Sequence, residues 1–255
     1  MKFGRLPRKR DPRVPHLADL QGDAPLPPAP IAVDWSAGMP DAFGAMLNDR
    51  LGDCTCAAFY HALQIWGFDA AKVEDTEPDQ FVEQLYEEAC GYNPSNPQSD
   101  QGGVEQDVLT FLLNTGAPTS QGRQKLIAFV EVDVTDLDDI KRTIADCGGC
   151  YIGFNVPDTI FDDGTTWHTT TSQTIIGGHA VFVVGYDNDG LILISWGQRY
   201  RMTWAFWGAY VDEAYALLDP IWVESTGRTP SNLSVTELEA AMQKLKATDP
   251  GDERH

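Results

Sequence analysis

Gly177-Gly178-His179-Ala180-Val181-Phe182-Val183-Val184-Gly185-Tyr186 places a histidine at the head of an apolar run of strand length. Roughly 120 residues earlier, Gly52-Asp53-Cys54-Thr55-Cys56-Ala57-Ala58 places a cysteine where the pattern turns helical. A thiol becomes a nucleophile only as its thiolate, which needs a base to form it and a positive neighbour to hold it. A fold that brings the two segments together supplies both.

Working outward, Ala58, Ala62, Ile65 and Trp66 continue the helix after Cys54, with Asp53 as its expected N-cap. Further helices are predicted over Gln80–Ala89 and, after Gly102-Gly103, over Val104–Leu113. Thr135-Asp136-Leu137-Asp138 resembles a capping box with Asp in place of Glu, opening a helix to Ala145 that Gly148-Gly149 ends. Strands are predicted at Tyr151–Val156, Ala180–Tyr186 and Leu191–Ser195. Asp187-Asn188-Asp189-Gly190 reads as a hairpin turn; as a calcium loop it lacks the remaining ligands and the terminal glutamate. Beyond Pro220 the pattern thins out except for Ser234-Val235-Thr236-Glu237, a capping box before an amphipathic helix to about Ala247. A helix-rich first half and a strand-rich second half predict an α+β fold with a cleft between the halves.

The chain of 255 residues is 42% hydrophobic, enough for a sizeable core, and its net charge of −20 argues against nucleic-acid binding. The charge is uneven. Residues 1–13 carry Lys2, Arg5, Arg8, Lys9, Arg10 and Arg13 against Asp11, a local +5 on a body of −25. Residues 1–31 are also rich in proline and lack apolar periodicity, so they read as an extended basic arm, lying on its own acidic body, docking on an acidic partner or simply solvated. No secretory signal, membrane span or disulfide framework is legible in five cysteines and a basic, proline-interrupted start. The expectation is a cytoplasmic protein, or a virion-associated one if phage-encoded.

Several spaced segments resemble the papain-like cysteine peptidases, over roughly residues 31–218. Val33-Asp34-Trp35 is similar to their mature N-terminal signature. Asn48 stands six residues before Cys54, where the family places its oxyanion glutamine. Gly102-Gly103 resembles the glycine pair that binds the substrate strand, Gly178-His179-Ala180 the histidine strand, and Ser195-Trp196-Gly197 the Ser-Trp-Gly after the family's orienting asparagine. The chain also resembles, at Asn48–Thr55 and Thr203–Phe206, a looser group of bacterial and phage-encoded proteins. The resemblance implies a two-lobed papain-like α+β fold, with an arm at 1–31, a domain at 32–225 (a helical lobe to about 120, a β lobe from 121) and a tail at 226–255.

It also implies a Cys54/His179 dyad that cleaves peptide or isopeptide bonds through an acyl-enzyme, without cofactor or metal. Asn48 and the Cys54 N–H would serve the oxyanion, Gly102, Gly103, Gly178 and Trp196 would bind substrate, and Gly153 would line a side-chain pocket. Departures fall on the chemistry. Ile194 stands where the orienting asparagine belongs and cannot accept an imidazole N–H, leaving Ser195, Gln198 or a backbone carbonyl to substitute. Cys54 is preferred to Cys56 because its spacing to Asn48 and Gly52 fits and it lies nearer the helix N-terminus.

His61 reads as packing, and His168 lies in a threonine-rich loop that could flank the cleft. Cys54-x-Cys56 with Cys147-Gly-Gly-Cys150 is a poor zinc match, because the first pair is one residue short. The acidic clusters Glu74–Asp79 and Asp136–Asp139 read as solvated faces. A peptide or protein substrate is the expected partner, with a second protein at the arm or the C-terminal helix, and no nucleic acid or membrane. The rival to the peptidase is a non-catalytic papain-like binding or structural protein, such as a phage virion component, favoured by Ile194. A cell-wall or double-glycine peptidase is counted against by Val33-Asp34-Trp35 and Ser195-Trp196-Gly197.

Overall fold

Twelve of the eighteen residues of helix α2, Cys54–Ala71, are buried, so this helix is the spine on which the rest packs. The computed structural model describes residues 1–22, 25–72, 75–162 and 164–246. Before α2 come a single turn, α1 (Leu17–Leu20), and a short strand, β1 (Val33–Asp34). After it, α3 (Asp79–Cys90) ends at Gly91 in the left-handed region, and α4 (Glu105–Asn114) starts just past the glycine pair. These three helices form one lobe.

The other lobe is a sheet. Beside a small hairpin of β2 (Ala117–Thr119) and β3 (Gly122–Gln124) lie β4 (Ala128–Glu131), β5 (Cys150–Pro157), β6 (Thr166–Trp167), β7 (Ile175–Tyr186), β8 (Gly190–Ser195), β9 (Gln198–Thr203) and β10 (Val211–Leu218). Their order is β4-β10-β5-β7-β8-β9-β6, with β1 paired to β7. Helix α5 (Leu137–Cys147) covers the sheet, α6 (Trp204–Tyr210) leads into β10, and α7 (Pro220–Thr226) packs on α2. The α+β architecture with helical and β-rich lobes is the one expected.

Several details correct the sequence reading. Strand β7 begins at Ile175, so His179 is not at a strand head but inside it, opposite Phe154 of β5. The strand is longer because β5 pairs with it through Asn155↔Gly178 and Val156↔Gly177 and, past an irregularity, to Pro157↔Ile175. Strand β10 went unforeseen although it lies inside the sheet between β4 and β5. It follows directly on the aromatic helix α6, and Asp212 and Glu213 break the apolar run at its start.

The N-cap of α5 is Asp136, whose carboxylate accepts from the N–H of Asp138 and Asp139, one residue later than the box Thr135–Asp138 implies. Asp139 is buried and bound to Arg142 and Gln21, so that cluster is not simply a solvated face. Glu74 of the other acidic cluster lies outside the described residues, as does Ala247.

The segment after Pro220 is more structured than its pattern implied. Asp219 caps α7, and the buried Trp222 donates to Asp146 O at 2.6 Å. In α8 (Val235–Lys246) Leu238, Met242 and Leu245 are buried, and the box at its start is reciprocal: Ser234 N–H donates to Glu237 and Glu237 N–H to Ser234 Oγ. The Asp187–Gly190 segment is a turn in which Asp187 accepts from Asp189 N–H and Gly190 N–H. Among the described residues no helix is long and apolar enough to cross a membrane.

Candidate active site

Cys54 is the first residue of α2, and its Sγ accepts the N–H of Ala180, the residue after His179, at 3.4 Å. The two segments quoted at the outset therefore meet at the lobe junction. Cys56, two residues on, is buried with its thiol against Cys90 and the Thr55 side chain. Thr55 between them is fixed through its carbonyl, which accepts from Tyr151 OH at 2.8 Å.

The His179 ring is held on two sides. Nε2 lies 2.8 Å from Ser195 Oγ, and the ring stacks on Trp196 with centroids 4.5 Å apart and planes 14° from parallel. Ser195 and Trp196 reach it because Ser195-Trp196-Gly197-Gln198 closes the β8–β9 hairpin with two left-handed residues, Trp196 at φ 46° and Gly197 at φ 80°. Ile194 points into the core opposite Phe182 and plays no part. With Ser195 on Nε2, the other nitrogen, Nδ1, is buried and has no hydrogen-bond partner among the described residues. An Nε2–H donated to Ser195 leaves Nδ1 as a lone-pair acceptor, the tautomer a general base needs.

Asn48 is buried beside the same turn, but both N–H bonds of its amide are committed, one to Leu51 O and one to Asp53 Oδ1, each at 3.1 Å. In this state it braces the Gly52–Cys54 turn rather than facing the groove.

The groove between the lobes is filled by the chain's own N-terminus. Arg5 N–H donates to Gly178 O, Leu6 N–H to Gly103 O, and Gly103 N–H to Gly4 O, at 2.8–3.0 Å. Arg5 thus pairs with Gly103 as a parallel bridge. Gly4 lies over the cysteine: its N–H, like that of Ala180, is directed at the sulfur. The fit admits only glycine, since a Cβ on Gly4 would stand 1.8 Å from Gly52 O. Gly102, at φ +86°, leaves the same room from the other side, where a Cβ would meet Gly4 O at 2.0 Å. Phe3 packs on His179, Trp196 and Phe161, and Trp196 Nε1 donates to Lys2 O.

Gly102, Gly103, Gly153, Gly178 and Trp196 thus all touch residues 2–6. Charge holds the arm along its length: Lys2 pairs with Asp100, Arg5 with Asp212 and Glu213, Arg8 with Glu131 and Lys9 with Asp107. The basic arm lies on its own acidic body.

Covering the site has an electrostatic consequence. Burial pushes the Cys54 thiol up to about 12, against the opposing effect of the Ala180 and Gly4 N–H groups, and holds the His179 imidazole down to about 3. With the arm seated the pair is thiol and neutral imidazole, not an ion pair. Asp53 is also buried, burial raises its carboxyl well above the usual range, and its proximity is one of the lesser influences that push the Cys54 thiol up.

His61 is buried against Gln64 and held near 4 by burial, while His168 is exposed on its loop. No group of three or more His, Cys, Asp or Glu side chains among the described residues is arranged to hold a metal ion. The sequence reading overlooked the roles of Phe3, Gly4 and Arg5 as groove residues, and of Glu105, Asp212 and Glu213 around Arg5. The excess positive charge of the arm was the one signal that pointed to them.

No family model and no curated protein matches the chain. Solved structures do. The chain is similar to xylellain, a cysteine protease from Xylella fastidiosa, with a TM-score of 0.61 and 20% identity over 85% of this chain and 95% of that one. It resembles the cysteine protease and lectin-like domains of Cwp84, a surface-layer-associated protein of Clostridium difficile, with a TM-score of 0.58 and 12% identity over 77% of this chain and 54% of that one. The Carica candamarcensis cysteine protease CMS1MS2, solved with E-64, gives 0.55 and 18% over 74% of this chain and 98% of that one. At these identities the likeness establishes a fold, and that fold is papain-like.

Proposed function

We propose that this chain is a cysteine peptidase with Cys54 as nucleophile and His179 as general base and acid, kept closed by its own N-terminal arm. The observation that carries the reading is the position of the arm. A backbone strand pairs with Gly103 and Gly178 and runs across Cys54, which is how an extended peptide would have to lie to offer a carbonyl to the sulfur. Three enzymes of the same fold described as cysteine proteases support the reaction class.

In the open enzyme, His179 Nδ1 takes the Cys54 proton and the thiolate attacks a peptide carbonyl carbon. The tetrahedral oxyanion is met by the Cys54 N–H at the start of α2, where the helix dipole favours negative charge. Asn48 completes that site once its amide turns from Leu51 and Asp53. The imidazolium then protonates the leaving amine, the C–N bond breaks, and water activated by the same imidazole hydrolyses the thioester. Ser195 holds Nε2 throughout, in place of an amide. An amine in place of water would give transfer through the same acyl-enzyme, and isopeptide bonds would follow the same course.

The second reading, a non-catalytic papain-like scaffold, is favoured by Ile194 in place of an orienting amide and by the neutral state of Cys54 and His179 under the arm. The pH dependence of Cys54 alkylation by iodoacetamide separates the two. It is measured in the full chain and in Gly4→Val, whose side chain cannot fit over Cys54, with Cys54→Ala and His179→Ala as controls. The peptidase reading expects slow labelling with the arm seated, and in Gly4→Val a depressed thiol pKa that depends on His179. A Gly4→Val thiol that titrates like free cysteine regardless of His179 leaves the scaffold reading.

A further inference from the structure

Arg5 is the buried anchor of the arm. Its side chain is 1% exposed, and the carboxylates around it, Glu105 and Glu213, are 0% and 1% exposed. Nε and Nη2 both address Glu213, at 2.6 and 2.5 Å, and Nη2 also meets Asp212 at 2.5 Å. Glu105 stands behind at 3.9 Å, and neither of its oxygens receives a hydrogen bond from the described residues. Burial and then the charge of Glu213 push the Glu105 carboxyl well above its usual range, while the Arg5 guanidinium works against them.

The cavity is shaped for this contact. A Cβ on Gly153 would come within 2.3 Å of Arg5 Nε and 2.7 Å of both Glu105 oxygens. Buried carboxylates facing one another without a cation are costly, so once the arm leaves, the cavity calls for a replacement charge. The planar fork matters as well as the charge: the Nε–Nη2 edge of one guanidinium meets Glu213 with both nitrogens while Nη2 also reaches Asp212, which an ammonium on a flexible stem does less well.

We propose that the Glu105–Asp212–Glu213 cavity is a specificity pocket for a guanidinium side chain, so that the groove selects peptides presenting arginine there, and that Arg5 is the chain's own occupant of it. The proposal rests on the reading of the groove as a peptide site, but not on turnover.

The test is made in full-length Arg5→Ala carrying Cys54→Ala, so that no reaction intervenes. Binding of N-acetyl-arginine amide, N-acetyl-lysine amide and N-acetyl-citrulline amide is followed by calorimetry and by the shift in Tm. The expected result is that the arginine ligand binds at least tenfold tighter than citrulline, with lysine between, and raises the Tm where citrulline does not. Adding Glu213→Gln should remove the preference.

Equal affinity for arginine and citrulline, or no binding of either, overturns the pocket and makes the Arg5 cluster a permanent structural lock. If Arg5→Ala does not fold, Arg5→Gln carrying Cys54→Ala keeps the side-chain bulk while vacating the guanidinium position, and the same three ligands are compared. The two readings fail separately. Selective arginine binding, together with no cleavage of any peptide by Gly4→Val that retains Cys54, upholds the pocket and sinks the peptidase. Cleavage by Gly4→Val of arginine and citrulline peptides alike does the reverse.

Discussion

Ser195 shows how much one hydroxyl decides. Oγ lies 2.8 Å from His179 Nε2, and by accepting an Nε2–H it would leave the lone pair on Nδ1, facing no other partner among the described residues. Removing a partner from a buried group costs about 1–3 kcal/mol, so under the proposed peptidase function Ser195→Ala should lower kcat/KM of Gly4→Val about 10- to 100-fold. The pH–rate profile should shift while KM changes little, whereas a loss confined to thermal stability would make Ser195 merely structural. The buried histidines carry a second prediction. Burial holds His179 near 3 and His61 near 4, below the ordinary 6.5, so the folded chain stays unprotonated where the unfolded chain takes up protons. Their contribution is fully present above pH 6.5 and is lost as pH falls towards 4. The fall in Tm between pH 7 and 4.5 should therefore be smaller in His61→Gln than in the parent. An identical fall would show that His61 does not titrate with unfolding.

Among the elements, α8 is the clearest case of a local signal with a tertiary consequence. The reciprocal bonds between Ser234 and Glu237 close its first turn, and Leu238, Met242 and Leu245 then pack towards α4 and β4. Ser234→Ala should cost about 1 kcal/mol, the usual value of an N-cap, and hydrogen exchange across residues 235–246 should quicken before the core does. Exchange that rises uniformly across the chain would mean that α8 unfolds only with the whole. Strand β7 shows the opposite situation. Its inner half was legible as an apolar run, but Ile175–Gly178 is exposed or half-buried and is drawn into the strand by pairing with β5. Such pairing has no local signature in Ile-Ile-Gly-Gly. Strand β10 escaped detection for a related reason: it is buried by its neighbours, and its opening Val-Asp-Glu has no strand periodicity of its own.

At the scale of the molecule, one arm joins both lobes and closes the groove. Two kinds of charge contact hold it. Lys2–Asp100 and Lys9–Asp107 have exposed lysines and are open to screening, while Arg5 is sealed among carboxylates. Raising the salt to about 1 M, where the Debye length is about 3 Å, should therefore leave Cys54 alkylation in the parent chain nearly unchanged. Gly4→Val should raise it at least tenfold at pH 7, because the added Cβ meets Gly52 O and the thiol loses its cover. Salt-induced labelling equal to that of Gly4→Val would show that the exposed pairs, not the Arg5 cluster, hold the arm.

Local signals in the chain were enough to reach the papain-like α+β fold and to single out a cysteine and a histidine that the fold then brings together. Cys54 at a helix start and His179 in an apolar strand are local patterns, and the helix, hairpin and capping signals around them act within a few residues. The run Ser195-Trp196-Gly197 was legible too, though not which of three candidates would take the imidazole N–H. Tertiary structure decided that Ser195 holds Nε2, that Asn48 is spent on Leu51 and Asp53, and that Gly4 and Arg5 occupy the groove. It also assembled the carboxylates around Arg5 from α4 and β10, more than a hundred residues apart. Backbone propensity and apolar periodicity are short-ranged, whereas the partner of a buried charge or a ring nitrogen is set by whichever segment the folded chain brings within about 3 Å. That choice depends on the packing of the whole molecule.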